Sequence, residues 1–314
     1  MITYTLQQHW PNLPADLLLG NPTGLAFDSR QDLFIFHRAG RRWPANNVLP
    51  PDPIPNKTIL RLDRESGRLL DAWGENLFLM PHGLTVDAED HIWVTDVGTH
   101  QVFQFSRDGH LLMTLGEAGV QGADQTHFAY PTHVAIAKDG SIYVSDGYAN
   151  SRVVKFSAKG EYQFEWGQRG AGAGEFHLPH AVELDEAGNV YVADRENRRI
   201  QVFSPTGQFI AQWKGPAFGK MSWMTYDKVR DGWTAVHFFD RVTADGEEHY
   251  DSEILFFDAN GQMLSRMEGG PGKGCWFHNI VTDKQGNIYV SDIKRDRLYK
   301  FIPGAPFIPN AATQ

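Results

Sequence analysis

The sequence Ile92-Trp93-Val94-Thr95-Asp96, a β-branched and aromatic strand ending in aspartate, recurs along the chain and indicates a repeat fold. Copies stand at Ile142-Tyr143-Val144-Ser145-Asp146, Val190-Tyr191-Val192-Ala193-Asp194 and Ile288-Tyr289-Val290-Ser291-Asp292. The terminal aspartates are separated by 50, 48 and 98 residues, so a degenerate copy is expected in the last gap, around Trp233-Thr234-Ala235-Val236. An earlier copy, Leu33-Phe34-Ile35-Phe36-His37, completes a set of six.

Each copy is flanked by further short strands and by Asp-Gly or Gly-Asn turns. In one repeat, a strand at Val182-Glu183-Leu184 precedes the repeated motif, and in another Arg152-Val153-Val154-Lys155-Phe156 follows it. Four short strands per unit of 40–50 residues are typical of propeller blades. The sequence therefore predicts an all-β, six-bladed β-propeller as a single domain over 1–314, with blades over roughly 21–303 and short terminal extensions. A solenoid is the competing architecture, but it has open ends and usually shorter repeats.

Composition limits the classes of partner. The 314-residue chain carries a net charge of −9 with a pI of about 5.8, which argues against nucleic acid because such surfaces are usually basic. No uninterrupted apolar stretch of about 18 residues and no signal-peptide pattern is present, so no membrane partner is expected. Together with the single cysteine, Cys275, these features predict a cytoplasmic protein and leave the oligomeric state open.

Three histidines share one phase of the repeat. His82, His180 and His278 each lie 14 residues before the terminal aspartate of their own copy, whereas Thr23 and Thr132 occupy that position in two intervening copies. The histidines therefore fall on blades two, four and six. Alternate blades of a six-fold ring are related by about 120°, so these side chains are expected to converge near the axis.

Three neutral imidazoles directed at one point are typical of a metal site that leaves a coordination position open. Zinc is the first expectation, since imidazole suits it well, while iron, manganese and cobalt remain compatible with the ligand type. The other ten histidines, among them His91, His110 and His177, show no such phase and are interpreted as surface or turn residues.

Several motifs resemble a known family. The turn-strand phrases around Gly174-Glu175-Phe176 and Pro179 resemble the NHL repeat. Between about Asn21 and Phe301 the chain also resembles the lyase domain of peptidylglycine α-amidating enzymes. The matching phrases are Ile35-Phe36-His37-Arg38, Asn76-Leu77-Phe78, Pro81-His82-Gly83-Leu84, Ser145-Asp146-Gly147-Tyr148, Asn150-Ser151-Arg152, Leu178-Pro179-His180 and Ala193-Asp194-Arg195-Glu196-Asn197.

The resemblance implies a metal-dependent carbon–nitrogen lyase. Its expected substrate is a small molecule with a carboxylate, a peptidyl- or N-acyl-α-hydroxyglycine that is split into an amide and glyoxylate. By the same resemblance, the three histidines take the zinc positions, Arg38 and Arg195 are active-site arginines, and Tyr148 is the catalytic tyrosine. Arg38 and Arg195 directly follow strand-end residues, and Tyr148 follows one position further along, so all three are expected at one channel mouth.

The chain departs from the family pattern at two kinds of position. Residues that match the family's disulfide cysteines are Ala129, Ala149, Tyr191 and Val202. The family's structural calcium site corresponds to backbone carbonyls at Leu25 and Leu84 and to an aspartate that is Asn279 here. Losing a charged ligand weakens a calcium site, so calcium is expected to bind weakly or not at all.

The residues are also compatible with other functions. The same metal site could serve a lyase or hydrolase acting on a different small molecule, such as another carbinol or hemiaminal. A propeller lactonase is disfavoured, because such enzymes normally use calcium on Asp, Asn and Glu. A non-catalytic NHL module that binds protein or RNA is disfavoured by the acidic balance and by the three histidines directed inward.

Overall fold

Six four-stranded antiparallel sheets form a ring in the computed structural model, which describes residues 3–46, 48–242, 248–268 and 274–304. The innermost strands of successive sheets contact one another, and the innermost strand of the last sheet contacts that of the first. The prediction of a six-bladed propeller is confirmed. Within the described residues, no helix is long and apolar enough to cross a membrane.

The first three blades and the strand that precedes them span Tyr4 to Trp166. The strands are β1 (Tyr4–Leu6); β2 (Pro22–Phe27), β3 (Leu33–His37), β4 (Ile59–Leu62) and β5 (Leu69–Trp73) of blade one; β6 (Pro81–Val86), β7 (Ile92–Asp96), β8 (Gln101–Phe105) and β9 (Leu111–Leu115) of blade two; and β10 (Pro131–Ile136), β11 (Ile142–Asp146), β12 (Arg152–Phe156) and β13 (Tyr162–Trp166) of blade three.

The remaining blades span Pro179 to Pro303. Their strands are β14 (Pro179–Leu184), β15 (Val190–Asp194), β16 (Arg199–Phe203) and β17 (Phe209–Lys214) of blade four; β18 (Lys220–Asp227), β19 (Gly232–Val242), β20 (Glu248–Asp258) and β21 (Met263–Glu268) of blade five; and β22 (Phe277–Thr282), β23 (Ile288–Asp292) and β24 (Arg297–Pro303) of blade six. The degenerate copy predicted near Trp233 lies in β19, as expected.

Strands from both ends of the chain build blade six. β1 pairs antiparallel with β24, from Tyr4 opposite Pro303 to Leu6 opposite Phe301, and supplies the outermost strand. The sequence predicts only a terminal extension here, because three residues outside the repeat carry no recognisable phase. The pairing closes the ring with backbone hydrogen bonds between the first and last described strands.

The apolar core lies between the blades. The repeated motif is buried at every residue in β3, β7, β11, β15 and β23, because each of these strands is covered by neighbouring blades on both faces. Outer strands such as β13 alternate between half-buried and exposed residues. This difference explains why the second strand of each blade reads as a continuous apolar run and the fourth does not.

On four blades, the aspartate that ends the repeated motif ties its strand to the segment just before the innermost strand. Asp96 is fully buried and accepts N–H bonds from Leu79 and Met80, just before β6, at 2.7 and 3.0 Å. Asp292 accepts the N–H of Trp276 in the same way at 3.1 Å. These bonds hold the chain at the start of the innermost strand, where the site residues lie.

Candidate metal centre

Every innermost strand has an irregularity at the same place. The register shifts lie between Pro22 and Gly24, Pro81 and Leu84, Pro131 and His133, Pro179 and Ala181, Met221 and Trp223, and Phe277 and Asn279. The residues at these bulges, which we call the bulge layer, are Thr23, His82, Thr132, His180, Ser222 and His278. A bulge re-aims its side chain and leaves its backbone groups out of the ladder, so this layer is where side chains can turn towards the axis.

The three histidines of the bulge layer meet with near-trigonal geometry. The centroids of the His82, His180 and His278 rings lie 4.7, 4.8 and 4.9 Å apart, and the ring planes are inclined by 70–74°. All three side chains are buried. The structure therefore brings together the three residues that the repeat phase singled out.

The intervening blades orient these imidazoles. The Nδ1 atoms of His82, His180 and His278 donate to the backbone carbonyls of Thr132, Ser222 and Thr23 at 2.6, 2.7 and 2.8 Å. Each acceptor is the bulge residue of the next blade, whose carbonyl lies outside the ladder because the bulge interrupts it; the Thr132 carbonyl also accepts from Thr95 Oγ1 at 2.9 Å. A proton on Nδ1 leaves Nε2 with a lone pair for a metal, as in most histidine metal sites.

Burial keeps the imidazoles neutral. It lowers the pKa of His82 and of His180 well below the usual value, and the positive charge that the neighbouring His278 would carry lowers both further. For His278, burial and then the nearby Arg38 lower the pKa to about 3. Neutral imidazole is the form that binds a metal.

The donor set fits a divalent transition metal. The ligand atoms of the three histidines lie within 4.8 Å of one another, and a three-histidine set suits zinc and related ions. The histidines could therefore hold a metal ion, whose identity the protein geometry leaves open.

Tyr148 reaches the bulge layer from the turn after β11. Its hydroxyl lies 3.0 Å from His82 Nε2 and 3.4 Å from His180 Nε2. The ring packs on Trp43 with centroids 5.1 Å apart, and the guanidinium of Arg195 lies 5.6 Å from the ring centroid. The phenol oxygen is thus held beside the atoms that would bind the metal.

The two predicted arginines lie at the same mouth of the channel. Arg38 is buried and donates from Nε to Pro81 O at 2.9 Å and from Nη1 to Asn21 Oδ1 at 2.8 Å. Burial lowers its pKa to about 10, opposed by the nearby Tyr148. Arg195 pairs through Nε with Glu196 at 3.0 Å. Both guanidinium groups contribute to the wall of one cavity.

That cavity has a volume of about 680 Å³ and opens above the bulge layer. Its wall includes four cationic side chains, Arg38, Arg42, Arg195 and Lys294, and no carboxylate among the described residues that line it. Arg42 pairs with Asp296 and Arg195 with Glu196, but the carboxylates lie outside the wall, so the wall itself presents cationic groups that suit an anionic ligand.

Most of the aromatic residues in the cavity wall were not predicted from the sequence. Trp43 and Tyr130 line one side, and Tyr250 and Trp276 line another. Trp43 lies in a long insertion between β3 and β4, and Tyr250 lies on the extended hairpin of β19 and β20, so neither has a counterpart in the repeat. The sequence signal for these residues is that both segments lengthen the repeat in which they lie.

The predicted calcium position has one notable feature. Asn279 is fully buried, and within the described chain neither its amide oxygen nor its nitrogen has a hydrogen-bond partner. Leu25 and Leu84 are also buried, on the innermost strands of blades one and two. The orphaned amide oxygen suits a cation or a water molecule, and the calcium expectation stays a prediction.

The interpretation of the other histidines as surface or turn residues was wrong for His37, His133 and His237, which are buried. His37 and His237 occupy the strand-end position that is aspartate on four blades. Their Nδ1 atoms accept N–H bonds from Ala39 at 3.1 Å and from Gly219 at 2.7 Å. A neutral imidazole there replaces the carboxylate as the acceptor.

Comparisons with known proteins give three kinds of match. A family model described as a six-bladed β-propeller matches residues 120–250, and an NHL-repeat model matches residues 78–105. Peptidyl-glycine α-amidating monooxygenase B of Xenopus laevis is 33% identical over 94% of this chain and 35% of its own length. Peptidyl-α-hydroxyglycine α-amidating lyase 1 of Drosophila melanogaster is 35% identical over 96% of this chain and 60% of its own length. The chain thus spans about a third to three-fifths of these two relatives.

Among solved structures, a streptogramin B lyase superposes with a TM-score of 0.61 at 15% identity, covering 97% of this chain and 98% of the other. At that identity the match supports the propeller fold alone.

Proposed function

Because the chain belongs to the NHL-repeat β-propeller family that includes the peptidyl-α-hydroxyglycine α-amidating lyases, we propose that it is a metal-dependent carbon–nitrogen lyase. Its substrate would be an N-acyl-α-hydroxyglycine or a peptide ending in that unit. The products would be an amide and glyoxylate. The observation that carries this proposal is the Tyr148 hydroxyl 3.0 Å from His82 Nε2, above three convergent neutral imidazoles and within a cationic cavity.

The reaction is an elimination across the carbinol carbon. The O–H electron pair becomes the second bond of the aldehyde, the C–N bond breaks, and its electron pair stays on nitrogen. The hydroxyl loses one proton and the amide nitrogen gains one, so no oxidant, reductant or water is consumed. The catalyst therefore needs a base near the hydroxyl and a proton donor near the nitrogen.

In its phenolate form, Tyr148 is suited to accept the hydroxyl proton and so become the neutral phenol. Its phenol is held between the Trp43 ring and the Arg195 guanidinium, so it has little freedom to leave this position. Once it has received the proton from the carbinol, the same group can return it to the departing nitrogen. One residue would thereby serve both proton transfers.

His82, His180 and His278 would hold the metal, for which we propose zinc. When bound there, a divalent ion lowers the pKa of a hydroxyl group that contacts it and stabilises the developing negative charge. Arg38 and Arg195 would bind the carboxylate that becomes glyoxylate, because guanidinium groups match carboxylate geometry. The hydrogen bonds from Arg38 to Pro81 and Asn21 orient that guanidinium before substrate arrives.

Calcium is proposed to be weakly held or absent. Asn279 offers a neutral oxygen where a carboxylate would bind a hard cation more tightly. The cytoplasmic location stays a prediction.

The test combines elemental analysis of the purified protein with a glyoxylate-release assay. About one equivalent of zinc or another first-row divalent ion, little calcium, and glyoxylate plus amide from α-hydroxyhippurate are expected. Chelator-treated protein is the control and should lose the activity. Fully metal-loaded protein that releases no glyoxylate from α-hydroxyhippurate or from a peptidyl-α-hydroxyglycine would contradict the proposal, and would favour another small carbinol or hemiaminal on the same site.

A further inference from the structure

The reacting half of the proposed substrate accounts for only part of the cavity. The carboxylate and carbinol would occupy the end formed by Tyr148, Arg38 and Arg195 above the histidines. A cavity of about 680 Å³ has the size of sites for much larger ligands than a hydroxyglycine unit. The remaining wall comes from blades five and six and includes Tyr250, Trp276 and Ile293.

Two rings form the apolar part of this remaining wall, and the Lys294 ammonium lies 5.6 Å from the centroid of one of them, Tyr250. Tyr250 and Trp276, which we call the acyl wall, stack with centroids 4.1 Å apart and planes 13° from parallel. Behind them, the buried Phe238 packs on Trp276 at 5.0 Å. A wall built of mutually stacked aromatic rings is already ordered. Binding a ligand on it therefore costs little conformational entropy of the protein.

Backbone hydrogen bonds fix Trp276 from both sides. Its N–H donates to Asp292 Oδ1 and its carbonyl accepts from Ile293 N, both at 3.1 Å. Trp276 lies two residues before His278, so the same segment carries the aromatic wall and a proposed metal ligand. The position of the wall relative to the reacting atoms is therefore set by the fold.

The fifth blade is lengthened to build this wall. β19 and β20 each contain 11 residues and pair as far as Val242 and Glu248, whereas the corresponding strands of blade two contain five. The extension carries Tyr250 beyond the strand-end position, to the cavity mouth. A hairpin extended on a single blade contributes to the cavity without being required for ring closure.

We propose that the acyl wall selects substrates whose carbinolamide nitrogen carries an aromatic acyl group. This inference rests on the proposed lyase function for the reaction, and it adds the class of acyl group. A flat apolar ring packs on the parts of Trp276 and Tyr250 that line the cavity, whereas a methyl group covers less of that surface and leaves more of it exposed to water.

The experiment compares kcat/KM for N-benzoyl- and N-acetyl-α-hydroxyglycine. Wild-type protein should prefer the benzoyl compound by about 10- to 100-fold, the usual effect of burying one aromatic side group. Trp276→Leu should reduce this ratio by about fivefold or more with little change for the acetyl compound, and Tyr250→Leu provides a second variant if the first folds poorly. Comparing ratios between proteins cancels the intrinsic reactivity of the two compounds. Phe209→Leu, an exposed ring on the outer strand β17, is the matched control and should keep the wild-type ratio.

A ratio that is unchanged in both folded acyl-wall variants would overturn the inference. So would a preference for an N-succinyl over an N-benzoyl compound, since that would assign recognition to the charge of Lys294. Binding of the unreactive N-benzoylglycine and N-acetylglycine, measured by calorimetry, separates this inference from the lyase proposal. Selective, Trp276-dependent binding without glyoxylate release would support the acyl wall and contradict the lyase, whereas release with no selectivity would do the reverse.

Discussion

The bulge layer and the cavity mouth above it are built on opposite plans. In the bulge layer all six blades contribute one residue at the same register position, and histidines alternate with residues that offer a carbonyl. At the mouth, a loop of blade one supplies Trp43 and a lengthened hairpin of blade five supplies Tyr250. The repeat therefore places the three histidines, whereas the aromatic residues of the mouth come from segments that break the repeat.

The largest expected effect is on the bulge layer. His180→Ala removes one of three ligands, so metal content should fall from about one equivalent to a small fraction, and lyase activity should be lost with it. Elemental analysis after gel filtration measures the metal content, and glyoxylate release measures the lyase activity. His177→Ala, three residues away and outside the layer, is the control. Retention of full metal by the His82, His180 and His278 triple alanine variant would show that the layer holds no metal.

At the mouth, Tyr148→Phe should lower kcat by about 10²- to 10⁴-fold, the usual contribution of a positioned general base. Metal content should stay at the wild-type level, which would distinguish a role of the cavity mouth in catalysis from the role of the bulge layer in metal binding. Tyr130→Phe is the matched control, because that hydroxyl accepts a bond from Gln121 at 3.0 Å and belongs to the same wall. An undiminished rate in Tyr148→Phe would remove this residue from the mechanism.

Arg195→Ala should mainly raise KM, by about 10- to 100-fold, since a charged hydrogen bond to a carboxylate contributes about 1.5–3 kcal/mol. Arg195 is preferred to Arg38 for this test, because Arg38 is buried and also bonds Pro81 and Asn21. Steady-state kinetics of the folded, metal-loaded variant give kcat and KM separately. A fall in kcat alone would instead indicate a role in the chemical step.

Acid should destabilise the metal-free bulge layer. The folded-state pKa of His278 is about 3, below its unfolded value of about 6.5, so the unfolded chain binds more protons between these pH values. The contribution of the buried neutral histidine to the free energy of unfolding is therefore fully present above pH 6.5. It falls as pH decreases, by up to about 1.4 kcal/mol per pH unit for each such histidine. Urea unfolding at pH 7, 6 and 5 measures this, and His278→Gln should reduce the slope. His110→Gln, on an exposed turn, should leave it unchanged.

The smallest effect is expected for Ser222→Ala. The backbone carbonyl of Ser222 orients His180. The Ser222 hydroxyl, by contrast, has no hydrogen-bond partner among the described residues. Metal content should match the wild type and the melting temperature should change by only about 1–2 °C. Loss of metal in this variant would mean that the intervening blades contribute through their side chains. The distinction between blades that supply a histidine side chain and blades that supply only a backbone carbonyl would then be wrong.

The propeller and the convergence of the histidines could be predicted from sequence because both follow from repetition. Once Asp96, Asp146, Asp194 and Asp292 fix the phase, a residue 14 positions earlier must occupy the same place on each blade. The bulge itself could not be predicted, since Thr23, Ser222 and His82 share no residue type, and only the register shift unites them.

The cavity wall escaped prediction for the opposite reason. Trp43 and Tyr250 reach the mouth through single insertions, and periodicity says nothing about the path of an insertion. Buried histidines were also misassigned, because a neutral imidazole accepts an N–H bond as an aspartate does, as His37 and His237 show.

Blade six contains the first and the last described strands, and His278 lies on its innermost strand. During synthesis, the blades that carry His82 and His180 emerge well before the residues of β24 that pair with β1. A nascent or truncated chain can therefore present two of the imidazoles but not the closed triangle. A chain interrupted between β22 and β24 would keep all three histidines but lack the strand that pairs with β1, so the ring that holds the imidazoles in a triangle would stay open.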